Sequence, residues 1–352
     1  MNASIIRRYG DTDFITGLRA IAATMVVAFH CSIFREFGQI GENVTEAGRY
    51  GVQVFFVISG FTIAATYLGA PSYLSYLVRR LMRIAPVYFF VIGAAIALTV
   101  AGVITGTGWS ARFGVETDAY NLLMHLTFMS FWDYKIANSL IGVEWTIPVE
   151  VFWYVILPWV IARAVGVRKA VIFMVGLAAL AFATILIGAQ LGPSLISEWF
   201  PTTYGPYFLL GVLTYKLRSS TQMIGRETMA FWGGVAIFLF ACVAAPVMTG
   251  AWVGVATALI IVGHRSSGGV SILTTTPLLF AGSISYSIYL WHALVVRYFA
   301  LPESFPGYLE FLVVFGVTLV LSVPTYLLVE KPTNRWGAVI AKSPAVLKRQ
   351  AA

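Results

Sequence analysis

Apolar runs of about 18 or more residues recur along the whole chain, and charged residues fall mostly between them; this pattern restricts the fold more than any single motif. Within a bilayer core no water is present, so such a run satisfies its backbone internally as a helix. Only 11% of the 352 residues are Asp, Glu, Lys or Arg, against roughly 25% in soluble domains, which excludes a soluble globular enzyme. A β-barrel would show shorter segments of alternating character. The expected fold is therefore all-α, a polytopic membrane helix bundle. One transmembrane domain covers residues 1–335, and residues 336–352 form a short basic cytoplasmic tail.

Ten spans are expected, at about residues 14–33, 50–69, 84–104, 145–162, 170–191, 204–217, 229–247, 250–264, 278–297 and 308–329. An additional short apolar segment, 119–132, is decided by charge. If it does not cross, 17 basic residues lie on the side of the N-terminus, Arg7, Arg8, Arg79, Arg80, Arg83, Arg265, Lys348 and Arg349 among them, and five on the other. If it crosses, the balance inverts against the positive-inside rule. Ten spans with both termini cytoplasmic follow, with 105–144 as an extracytoplasmic excursion carrying His125 and Trp132. The net charge of +8 then belongs to cytoplasmic loops and calls for no nucleic acid. Cys31 and Cys242 have no disulfide or zinc spacing. The first apolar run reads as a retained anchor rather than a cleaved signal.

Ionisable side chains inside spans are expensive and face cavities or partners. Arg19 and His30 share the first run eleven residues apart, roughly 16 Å along a helix and within about 20° of one direction, so they can line one channel. Arg80 and Arg83 lie three apart on one helix face beside Arg79. Such a cluster suits a nucleotide phosphate, or anchors a helix to lipid head groups. Glu150, in WTIPVEVFWY, lies at a depth from which it could meet His30 and fix its tautomer, or simply satisfy a neighbouring helix. Tyr286, Tyr289 and His292, in SYSIYLWH, could contact a sugar, although an interfacial aromatic belt explains them equally. FFVISGFTIA, around Ser59 and Gly60, reads as a close-packing segment. No Walker loop, Gly-x-Ser-x-Gly elbow or paired-His zinc motif is present, so ATP-driven transport, serine hydrolysis and zinc proteolysis lack their local signatures.

Taken in order, these strings resemble the acyltransferase family 3 membrane proteins, which include bacterial O-antigen and exopolysaccharide O-acetylases. The likeness rests on Arg19 and His30 in GLRAIAATMVVAFH, GVQVFFVISGF, RRLMRIAP with Arg80 and Arg83, WTIPVEVFWY with Glu150, SYSIYLWH with His292, and VEKP with Glu330. Thr146 stands where the family often has Ser, and Val151 where a second Glu is frequent.

The resemblance implies transfer of an acyl group, acetyl first, from cytoplasmic acetyl-CoA or another acyl-CoA to a hydroxyl of a cell-surface or lipid-linked carbohydrate, in the bacterial inner membrane and without metal. It implies that Arg19 and His30 are essential and that Arg80 and Arg83 serve the CoA side; beside these, the residues themselves lead us to expect Glu150 with His30 in catalysis, Arg19 guiding the CoA arm, and Trp145, Tyr286, Tyr289 and His292 on the acceptor side. Direct transfer with His30 as general base and an acyl-His30 intermediate both fit. Outside the family, the same residues suit a proton-coupled transporter or flippase for a charged lipid or glycan, or a noncatalytic partner in polysaccharide assembly.

Overall fold

A computed structural model of the chain describes residues 13–164, 166–191, 199–219, 225–264, 272–302 and 304–343. Arg7, Arg8, Arg265, Lys348 and Arg349, together with residues 344–352 of the expected tail, lie outside the described residues. All regular structure among the described residues is helical. The principal helices are α1 (Asp13–His30), α2 (Gly38–Ala47), α3 (Gly51–Leu68), α4 (Tyr73–Val100), α5 (Gly108–Phe113), α6 (Ala119–Leu126), α7 (Thr146–Arg163), α8 (Gly166–Leu191), α9 (Pro201–Arg218), α10 (Glu227–Ala244), α11 (Thr249–Gly263), α12 (Thr276–Ser283), α13 (Ser285–Phe299), α14 (Gly307–Thr325) and α15 (Lys331–Ile340). The chain is an all-α polytopic membrane bundle.

Each expected span has a helical counterpart, with α12 and α13 bent by 71° at their junction. Among the described residues, seven helical stretches are long and apolar enough to cross a bilayer, or eight with that bent pair; α11, at 15 residues, is shorter. Two boundaries differ from expectation. The third span begins at Tyr73, not near 84, because Ser72 caps α4 by accepting the Ser75 backbone N–H at 2.9 Å and the arginine turn is helical. Hydropathy trims that turn off; its burial inside protein restores it. At the far end, α14 passes through a π-helical turn, Tyr326–Glu330, directly into α15, so one continuous helical stretch runs across the expected 335/336 boundary.

At the end carrying His30, the loop after α1 meets the start of α14 through Arg35 to the Phe305 carbonyl and the Gly307 N–H to Glu36 at 2.6 Å. Arg297 at the end of α13 donates to the carbonyls of Thr105 and Leu140, the latter at 3.0 Å. Between α4 and α7 the chain forms only short helices there; α6, eight residues long, extends about 12 Å and cannot span a core of about 30 Å.

Small residues let the helices close on one another. A side chain at Gly60 on α3 would run into the backbone of Phe208 on α9, and one at Gly211 on α9 into the Val57 carbonyl on α3. Gly60→Val is therefore expected to force these helices apart and cost about 1–3 kcal/mol, seen as a lower thermal midpoint of the detergent-solubilised protein.

Candidate active site

The antiparallel register of α1 and α3 decides which polar groups meet. Gly51 lies against Ala22, and Gly48 against Met25, so α3 descends as α1 rises. Ser59 sits eight residues beyond Gly51, about 12 Å deeper, on the Arg19 side of that contact and away from His30, and it lines the same space as Arg19. Glu150 on α7 is drawn to that depth: its carboxylate accepts a short hydrogen bond from the Ser59 hydroxyl and another from Tyr154 at 2.7 Å. The expected pairing of Glu150 with His30 is thus corrected. The carboxylate is engaged one turn along its own helix and across to α3, at the opposite end of the site.

Around it lies an inner pocket lined by Arg19, Arg83, Ser59, Glu150, Tyr154 and Tyr286, enclosing about 580 Å³ with the open space at its mouth included. The three arginines of this part of α4, Arg79, Arg80 and Arg83, divide their roles. Arg79 is exposed, as a head-group anchor would be. Arg80 is only 5% exposed; it donates to the Thr66 hydroxyl at 2.6 Å and its guanidinium lies 5.4 Å from the Tyr154 ring centroid. Arg83 faces the cavity. Close by, buried Glu330 accepts from Ser287 at 3.0 Å and interacts electrostatically with Arg83 and Arg19.

His30, the last residue of α1, lines a separate outer cleft with Gln53, Asn138, Trp145 and Tyr204. That cleft encloses about 2050 Å³, a figure that takes in open space at its mouth. Val52 and Tyr289 line both spaces, so the two abut at that pair of side chains. Arg19 lines the first of these spaces and His30 the second.

The acceptor-side expectations divide. Trp145 lies on the cleft wall and stacks on Trp199, with centroids 5.1 Å apart and planes 9° apart, which presents an aromatic face of the kind sugars pack on. His292 is corrected: it is completely buried and lines neither cavity, packing instead behind His30 with ring centroids 5.1 Å apart. The Tyr286 hydroxyl donates to the Ile84 carbonyl at 3.0 Å. The Tyr289 hydroxyl donates to the Val143 carbonyl at 2.9 Å and accepts from Thr146 at 3.0 Å. A phenol has one proton to give, so both tyrosines shape the walls rather than offer donors to a sugar.

The segment 138–145 that completes the cleft is fixed from beneath. Glu144, wholly buried, accepts the backbone N–H groups of Leu140 and Gly142, each at 2.6 Å. His125 of α6 approaches the same carboxylate at 3.7 Å and donates from Nδ1 to the Asn121 carbonyl at 2.9 Å. Burial holds the His125 imidazole below its usual pKa, against the opposing pull of Glu144. The unfolded chain therefore binds this proton more readily. The His125 contribution to stability is complete above about pH 6.5 and is lost as pH falls below it. In thermal melts, His125→Gln is expected to flatten the acid-side slope by at most about 1.4 kcal/mol per pH unit.

Sequence reasoning missed Ser59 and Tyr154 as partners of Glu150, although Glu150 and Tyr154 are four apart and so share a helix face. It also assigned no role to Glu330, Asn138, Trp199 or Arg49, whose positions depend on loop and helix placement that local pattern does not encode.

Over residues 12–327 the chain matches the family described as "Acyltransferase domain". It is 24% identical to "Putative peptidoglycan O-acetyltransferase YrhL" of Bacillus subtilis (strain 168), covering 92% of this chain and 55% of that protein. "Putative O-acetyltransferase SACOL0978" of Staphylococcus aureus (strain COL) is 23% identical, with 92% and 57% covered. "Nodulation protein 10" of Rhizobium leguminosarum bv. viciae is 27% identical, over 70% of this chain and 71% of that one. The chain spans little more than half the length of the first two relatives. No solved structure matches it. With the family's match running from the start of α1 into the π-helical turn after α14, this multi-pass chain belongs to the acyltransferase 3 family.

Proposed function

We propose that the chain is a membrane-bound O-acyltransferase of the bacterial inner membrane, taking an acetyl group from cytoplasmic acetyl-CoA to a carbohydrate hydroxyl on the outer side. The observation that carries this reading is the adjacency of two unlike compartments, one lined by guanidinium groups and one by an imidazole, which abut at Val52 and Tyr289. Guanidinium pairs bind phosphate bidentately. Arg83 and Arg19 meet the CoA phosphates, and Arg80, enclosed between tyrosine rings, adds charge and holds the wall. The two carboxylates Glu150 and Glu330 balance these cations before the donor arrives, which limits the cost of burying three like charges.

The thioester reaches the constriction from the inner side and the acceptor hydroxyl reaches it from the cleft. His30 removes the hydroxyl proton as the oxygen forms a bond to the thioester carbonyl carbon. The C–S bond then breaks and the CoA sulfur leaves, receiving the proton held on the imidazole. His292, packed behind His30, limits the rotation of the ring and so acts as a positioning residue. Only the acyl group crosses the barrier; CoA returns to the side from which it came.

Release of free CoA tests this. Purified protein given acetyl-CoA and a glycan extract is expected to release CoA in equal number to acetyl groups found on glycan. A transporter or flippase releases none, and that result overturns the proposal.

A further inference from the structure

Three side chains on the wall of the outer cleft carry a polar atom that has no partner among the described residues. Gln53 of α3, Asn138 of the segment before α7 and Thr203 of α9 all line the cleft with His30, and the side-chain oxygen of each is buried without a hydrogen bond. A buried polar atom left unpaired costs free energy that folding normally avoids. One such atom can be a local accident of packing. Three, brought by separate elements to one space, share a simpler explanation: the partner is the molecule that enters it.

Their chemistry states what that molecule offers. Asn138 commits its amide nitrogen to the Gly142 carbonyl at 2.7 Å, which orients the amide and leaves free an oxygen that can only accept. The unpaired atom of Gln53 is likewise a carbonyl oxygen, and the Thr203 hydroxyl gives one proton and accepts others. The set therefore reads O–H or N–H protons. Its placement suits a sugar. Gln53 follows Val52 of the constriction, and Thr203 precedes Tyr204, whose ring centroid lies 5.2 Å from that of Trp145.

We propose that Gln53, Asn138 and Thr203 select the acceptor by binding hydroxyls of the acylated ring other than the one that reacts. The protein then takes a sugar whose remaining hydroxyls are free and rejects one that is deoxygenated, methylated or already acylated at those positions. None of these has a proton to give there, and its entry seals the oxygens unpaired. A ring acetylated once thus becomes a poor acceptor for a second transfer. This deepens the O-acyltransferase reading and rests on it.

The test gives the purified full chain acetyl-CoA and the methyl glycosides of glucose, galactose, mannose and N-acetylglucosamine, each beside its monodeoxy and mono-O-methyl forms. CoA release gives kcat/KM, and mass spectrometry of the product identifies the hydroxyl that reacts. At least one parent glycoside is expected to be acetylated, and altering a non-reacting hydroxyl to lower its kcat/KM at least about tenfold. Gln53→Leu and Thr203→Val keep volume while removing the polar atom. Each is expected to raise the KM for the glycoside, leave that for acetyl-CoA unchanged, and bring parent and altered sugar within about threefold of one another. Structural damage alone lowers both sugars together and leaves their ratio as it was. Asn138→Ala should act in the same way; if it fails to fold without its tie to Gly142, the other two variants decide. Equal use of parent and altered sugars by the unaltered protein overturns the proposal, as does discrimination that survives in both Gln53→Leu and Thr203→Val. Acetylation of a glycan extract with none of the four glycosides used overturns it too, while leaving the transferase reading intact. No CoA release with any acceptor, the extract included, sinks the transferase reading, and this selection falls with it.

Discussion

His30→Ala is expected to lower the turnover of acetyl transfer by about 10²–10⁴-fold, the range that a positioned general base supplies, with the KM for acetyl-CoA nearly unchanged. The separation of the two effects follows from α1 itself. Arg19 and His30 lie eleven residues apart on this helix, roughly 16 Å, and line different compartments. Removing the imidazole therefore leaves the guanidinium end intact. A loss in turnover without a loss in donor binding marks an interaction made only in the transition state. Arg83→Ala should give the converse, a raised KM for acetyl-CoA. Quantitative CoA release over a range of acetyl-CoA concentrations separates the two. Unchanged glycan acetylation by His30→Ala, as a noncatalytic assembly partner would give, refutes the assignment.

How far these arrangements were legible in the sequence depends on which interactions set them. Hydrophobic run length fixed the helices, since each run answers to the bilayer alone, and the one large boundary error fell where protein replaced lipid as the surroundings: the Tyr73–Arg83 turns of α4. The helical period puts Arg19 and His30 within about 20° of one direction, because that geometry is internal to α1. It could not place Glu150 against His30 or Ser59, because that choice depends on the offset of α3 along α1, which Gly48 and Gly51 set by close backbone approach. The same holds for His292: within its own helix it reads as an interfacial residue, and only the crossing of α13 with α1 puts it behind His30.

The constriction between the compartments carries the second large prediction. Val52 is 7% exposed and is shared by both linings with Tyr289, so a bulkier side chain there intrudes where the thioester and the hydroxyl must meet. Displacement of reacting groups by about 1 Å can cost about 10²-fold, and a Trp at this position displaces them by more. Val52→Trp is therefore expected to reduce acetyl transfer by at least about 10²-fold while acetyl-CoA still binds, because Arg19 and Arg83 are untouched. Val52→Ala, which removes bulk at the same point, should keep acetyl transfer and admit longer acyl groups, since an acyl chain then meets less resistance at the narrowing. Binding by calorimetry and transfer by CoA release, measured on both variants, decide the matter. If Val52→Trp transfers acetyl at the unaltered rate, the two groups meet by some other route and the compartments are not joined at this wall.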